Sequence, residues 1–438
     1  MAVTLPLGGA AQRLLHPIVP GVLFGFAVLA HGVAWLLLGW AAPEIIAGQA
    51  GPGPALAAIH AVALGVLLPT VAGATMQILP VATLQGAPPA WLGLVVFAAL
   101  ASGAVMMVGG FAVVALPMLQ AGAVVMAAGL LVFLGVAVRL TWGARRAGPA
   151  DSVLALGAAL GMLGVAVVLA VLLAGGYAHP VLPDHAAAAG AHAAAALFGG
   201  IGLLVIGFSG LLLPMLAVAE PPAPGAARWV IVAAVLGGVL GIVGSLTMVP
   251  EVVAVGIVAG LVAAGLHVRG MERTFAKRMR RRMGPEFRLI RLSWALLILA
   301  LLTALGIAAG VLPGRLEGLV VVLALHGWLL SLLTGILQRI LPFLASMHTV
   351  RACAKAAVVT RLGWAPPLRV HAVGHALALV LVVLGIMFEV PVLVQAGAGL
   401  GAVGAVAFAV FAVSVVGLTL RHARAVGPKS APVSAGEH

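Results

Sequence analysis

The sequence predicts an all-α polytopic membrane protein of about twelve transmembrane helices, and three observations carry that prediction. Of 438 residues, 63% are hydrophobic and only 8% charged, with a mean hydropathy of +1.25; a soluble domain has about 25% charged residues. The apolar runs are long enough to span, because a helix needs roughly 20 apolar residues to cross about 30 Å of hydrocarbon. The basic residues behind the formal charge of +13 gather in the short breaks between those runs. Topology explains them there, so nucleic acid is excluded as a partner. The single Cys353 excludes a disulfide scaffold and a cysteine-rich metal site.

Span one is expected at 17–40, preceded by Arg13 and retained, since no small-residue cleavage site follows it. Span two covers 55–80. Spans three and four, 90–114 and 117–140, are separated by little more than Ala115 to Met118, and Arg139, Arg145 and Arg146 lie at and beyond the end of the fourth. Spans five and six take 151–175 and 187–216. Spans seven and eight, 227–249 and 251–268, meet at Pro250, and the eighth runs into the densest basic block, His267 to Arg291. That block reads either as a topogenic charge cluster or as a short surface helix drawn to anionic lipid. Spans nine and ten take 290–311 and 317–342, with Arg351, Lys355, Arg361 and Arg369 beyond them; eleven and twelve take 368–391 and 395–420, followed by Arg421, Arg424 and Lys429.

With twelve spans every strong basic cluster falls on one side, which puts both termini in the cytoplasm of a bacterial-type inner membrane. The other side keeps Glu44, Asp184, Arg315 and Glu317. The chain reads as one transmembrane domain, 1–438, with no inserted soluble domain and a cytoplasmic tail at 421–438.

Spans two, six and ten end alike: Gly73 to Pro80, Gly207 to Pro214 and Gly335 to Pro342 each place Gly seven residues before Pro, with Leu just ahead of it. Spaced four helices apart, they suggest four-helix units at 17–140, 151–268 and 290–420 about a pseudo-threefold axis. The glycines allow close backbone approach, and the prolines are expected to end each span at the cytoplasmic surface.

These spans also carry His60, His192 and His326. An imidazole in lipid is costly unless paired, so each is a candidate ligand, set against a histidine bonded to a backbone carbonyl. His60 lies twenty residues before Pro80 and His326 sixteen before Pro342, a difference of about 6 Å in depth. Two imidazoles facing across a porphyrin are reasonable on that geometry, with a basic residue such as Arg339 for the propionates. His371 and His375, one turn apart, suit a shared metal or haem edge and are placed near the cytoplasmic end of span eleven. His31 is weighed as a core histidine. Glu389 reads as a proton-handling group or an interfacial acid.

The run His60 to Pro80, HAVALGVLLPTVAGATMQILP, resembles the second transmembrane helix of the haem-copper oxidase and nitric-oxide-reductase catalytic-subunit superfamily. At His60, Gly65, Gly73 and Pro80 it is also similar to the NnrS family of haem- and copper-containing membrane proteins linked to nitric-oxide resistance, and Gly335 to Arg339 resembles an element of that family. The resemblance implies twelve helices in three arcs, low-spin haem b on His60 and His326, and copper at His192. It departs from an oxygen-reducing centre at three places: Ala324 stands where a second span-ten histidine belongs, span seven has no histidine pair, and the lone Tyr177 is in an outer loop.

The expected function is therefore a b-type haem membrane protein in electron transfer or nitric-oxide and gas handling, served by a membrane or periplasmic redox partner, with copper as a further cofactor and no oxygen reduction. The competing classes are a haem, copper or small-molecule transporter and a cofactor-free structural or assembly subunit.

Overall fold

The computed structural model describes residues 13–49, 51–179, 181–279 and 283–428. Twelve of its helices are long and apolar enough to cross a membrane: α1 (Ile18–Trp40), α2 (Pro54–Ala82), α3 (Ala90–Ala112), α4 (Leu116–Ala144), α5 (Ala150–Gly176), α6 (His185–Ala217), α7 (Arg228–Thr247), α8 (Pro250–Ala276), α9 (Glu286–Ala308), α10 (Gly314–Ala352), α11 (Ala365–Met387) and α12 (Pro391–Val426). Leu29, Leu36, Val105, Val124, Val168 and Val413 are among the many large apolar side chains on the outside. Such a surface suits lipid and not water.

The three spans that share the glycine–proline pattern are largely interior: 78% of the most apolar stretch of α10 is buried, 61% of α2 and 50% of α6, against 22% of α7 and α8. α1 also reaches 50%. Each of the three contains a π-helical stretch, Ala61–Leu67, Ala194–Ile201 and Leu323–Leu330. Counted back from Pro80, Pro214 and Pro342 the stretches coincide to within one residue, and each holds a glycine fifteen residues before its proline: Gly65, Gly199 and Gly327. A narrow, almost wholly apolar cavity of about 80 Å³ lies between the three helices. Leu67, Ile201 and Leu329 line it at one offset from the proline, and Ile78, Leu212 and Ile340 at another.

The tight hairpins repeat at the same four-helix interval. α3 to α4, α7 to α8 and α11 to α12 each turn on one left-handed residue, Val114 (φ 55°), Met248 (φ 54°) and Glu389 (φ 57°). The next N–H then bonds back to a glycine carbonyl: Ala115 to Gly110 (2.8 Å), Val249 to Gly244 (2.9 Å) and Val390 to Gly385 (2.8 Å). A Cβ at those glycines would lie 2.6, 2.7 and 2.8 Å from the backbone nitrogens of Leu119, Val253 and Val394. Only glycine lets the paired helices meet so closely.

Three sequence expectations change. Pro80 and Pro214 lie inside their helices, which stop two or three residues later, and α10 runs ten residues beyond Pro342. Packing on neighbours and the Ser346 to Ala357 carbonyl bond (2.6 Å) hold that extension despite the missing N–H. The basic stretch after span eight is no separate surface helix: α8 continues to Ala276 and α9 starts at Glu286, with 280–282 outside the described residues. Residues 421–426, expected in the tail, extend α12, and 429–438 lie outside the described residues.

Candidate functional site

The densest group of buried imidazoles lies where α1, α10, α11 and α12 meet. His31, His326, His371 and His375 are each at most 2% exposed. His371 and His375 are one turn apart on α11, with ring centroids 5.6 Å apart, as the helical repeat requires. His31 meets His371 edge-on at 5.7 Å. The indole of Trp35, one turn along α1 from His31, touches His326 at 4.8 Å and His375 at 5.7 Å. Phe408 of α12 closes the group, 5.0 Å from His371 and 6.1 Å from His31. Gly401 makes room for Trp35, since a Cβ there would collide with the indole.

Hydrogen bonding assigns the ring nitrogens. Trp35 Nε1–H donates to His31 Nε2 at 3.2 Å and occupies its lone pair. His371 Nδ1 lies 3.2 Å from the Gly404 carbonyl. A carbonyl only accepts, so Nδ1 carries the proton and Nε2 is left as a bare lone pair, the state a metal ligand needs. That Nε2 has no partner. His375 Nε2 shares a 2.8 Å bond with Ser331 Oγ, and its Nδ1 is unpartnered. His326 is the barest of the four: neither nitrogen has a partner, and it sits within the π-helical stretch of α10. Such stretches are frequent at functional sites.

His60 and His192 lie elsewhere. His60 stacks on Phe111 of α3 at 4.6 Å, and its Nδ1 reaches the Leu56 carbonyl at 2.8 Å. His192 Nδ1 bonds the Ala166 carbonyl of α5 at 3.0 Å. Both rings therefore turn Nε2 away as a lone pair. His60 faces Phe111 and His326 faces Trp35, so no ring contact joins the two residues expected to share a haem. Arg339 follows His326 by thirteen residues, about 20 Å along the helix axis. Its Nε lies 3.5 Å from Glu286 of α9. Glu389 pairs instead with Arg315 at 2.8 Å at the opposite end of the bundle, both half-exposed.

The sequence places His371 and His375 near the cytoplasmic end of span eleven, and the structure corrects that depth. α11 begins at Ala365, so His375 is one residue from the midpoint of its 23 residues, and through Trp35 it reaches His326. The sequence reading also missed His31 as a member, together with Trp35, Ser331 and Phe408. The available signal was the one-turn spacing of His31 and Trp35, which matches that of His371 and His375. Both put two aromatic rings on one helix face.

The chain matches no protein-family model and no curated protein.

Among the described residues, no three histidine, cysteine or acidic side chains stand arranged around one metal position. The donor types alone are those of borderline transition metals such as zinc, copper, iron or nickel. The cluster offers imidazoles alone, without carboxylates, and with bare nitrogens in an apolar surround.

Proposed function

We propose that this chain is a membrane-embedded redox protein that binds b-type haem through His326 and one of His371 and His375, and that serves electron transfer or nitric-oxide and gas handling. One observation carries the reading: the four bare nitrogens of His326, His371 and His375. A buried polar group left unpaired costs about 1–3 kcal/mol, so a cluster of them favours a ligand that completes it. Haem iron would supply one-electron chemistry when held by two imidazoles, and would take a diatomic gas only in place of one of them. The chain's own residues do the rest. Gly404 holds His371 in the ligand tautomer, Ser331 orients His375, and the buried Trp35 and Phe408 pack against the imidazoles.

The recurrence of π-helical stretches, cavity-lining positions and glycine hairpins at four-helix intervals supports three four-helix units, as in haem-copper oxidase catalytic subunits. Oxygen reduction is not part of the proposal, since α7 brings no histidine and Ala324 stands beside Leu323 and Leu325 in the wholly buried run before His326. A second reading, a single copper ion on His371 and His375, is favoured by their one-turn spacing and tilted rings.

An absorption spectrum and metal analysis of the purified chain test both. A b-type spectrum lost in His326→Ala and kept in His60→Ala supports the proposal. Copper without colour, lost in His371→Ala, supports the second reading. A spectrum lost in His60→Ala and untouched in His326→Ala overturns the assignment of this cluster.

A further inference from the structure

α4 and α5 part toward the end of the bundle that carries the basic residues and leave a cleft of about 710 Å³ open to the outside. Leu134 and Val138 of α4 and Leu154 of α5 form its apolar walls. Its floor is Gly157 and Gly161, where an added Cβ would meet nothing within 4 Å. At its mouth stand Trp142, 65% exposed, and Arg145, whose guanidinium lies 3.8 Å from the indole centroid. The acid nearest in sequence, Asp151, is engaged elsewhere, its Oδ2 accepting from the Ala227 N–H at 3.0 Å.

The volume selects the occupant. A methylene takes up about as much space as a water molecule, roughly 30 Å³, so a sixteen-carbon acyl chain needs about 480 Å³. A partner helix about 10 Å wide and 30 Å long would need roughly 2400 Å³. The cleft therefore holds a chain and not a helix. An aromatic ring and an arginine at its mouth sit where a membrane has its headgroups. We propose that this cleft binds an anionic phospholipid, with one acyl chain along Gly157 and Gly161 and its phosphate on Arg145.

Native mass spectrometry of the full chain tests this, comparing phosphatidylglycerol with phosphatidylcholine of the same sixteen-carbon chains. A basic residue near the surface is worth about fivefold in binding an anionic lipid, so wild type is expected to retain phosphatidylglycerol about fivefold more tightly. Arg145→Gln should remove that preference, and Gly161→Leu should remove the tight adduct of both lipids. Arg315→Gln, at the opposite end, should change neither and shows that the effect is local. Millimolar inorganic phosphate should not displace the lipid. Equal retention of the two lipids by wild type, a preference that survives Arg145→Gln, or an adduct that survives Gly161→Leu overturns the proposal. Displacement by phosphate alone, or an equal loss in Arg315→Gln, does so too.

Discussion

Replacing His326 by leucine should stabilise the protein when it carries no cofactor and destabilise it when it does. A neutral imidazole has one N–H and one lone pair, and at His326 both are buried without a partner. Each such orphan costs about 1–3 kcal/mol, and apolar replacement of similar volume removes the cost. The change in shape against Trp35, 4.8 Å away between ring centroids, returns less than about 1.5 kcal/mol. The two orphans together cost about 2–6 kcal/mol, so the net gain is between about 0.5 and 6 kcal/mol in unfolding free energy, measured by reversible detergent-to-SDS titration of cofactor-depleted protein. His371→Leu is the comparison: it removes one orphan nitrogen but gives up the bond to Gly404, worth about 1 kcal/mol, so it should gain less than His326→Leu. In cofactor-loaded protein the order reverses, because a ligand bound only by the folded state adds stability that His326→Leu discards. If His326→Leu proves no more stable than His371→Leu in the depleted protein, the imidazole has a partner and the reasoning fails.

The remaining predictions concern packing and topology. Val114 holds a left-handed conformation that a β-branched residue resists, so Val114→Gly should stabilise by about 1 kcal/mol in the same titration; a loss would show that the turn is not strained. Gly401→Val drives a methyl-bearing Cβ into Trp35. It should cost about 1–3 kcal/mol and shift the tryptophan fluorescence, whereas an unchanged emission would place Trp35 elsewhere. Gly256→Leu should cost at least as much, since a Cβ there would lie 3.0 Å from the Gly241 nitrogen and 3.1 Å from the Gly237 carbonyl across the α7–α8 seam. Reporter fusions at Gly176 and Gly284 should fall on opposite sides of the membrane, and the same side for both would sink the twelve-span topology.

The twelve helices were legible because their cause is one-dimensional. Apolar length and the position of basic breaks fix where a chain can lie in hydrocarbon, and most helix ends fall within a few residues of expectation. The fourfold spacing of the glycine–proline pattern was legible for the same reason. Its partner signal, Gly110, Gly244 and Gly385 at the hairpins, escaped because glycine is abundant here and only the hairpin bond combined with the backbone contact tells these three from the others. The end of α10 was misjudged because a proline only removes one hydrogen bond. Whether that ends a helix depends on the neighbours that support the next turn.

The histidines show where sequence stops and tertiary structure begins. Their number, their place in apolar spans and the one-turn spacing of His371 and His375 are properties of the chain alone. Which of them meet is not. Depth along a helix follows from counting residues, but direction around it shifts wherever a π-helical stretch adds a residue to the turn, as it does beside His60 and around His326. His60 thus turns to Phe111, and His326 turns to Trp35 and the α11 pair. The sequence by itself determined that imidazoles would be buried in a lipid-suited bundle. Only the packing of α1, α10, α11 and α12 decided which nitrogens were left bare, because a hydrogen-bond partner is set by rotation and contact between helices that lie tens to hundreds of residues apart.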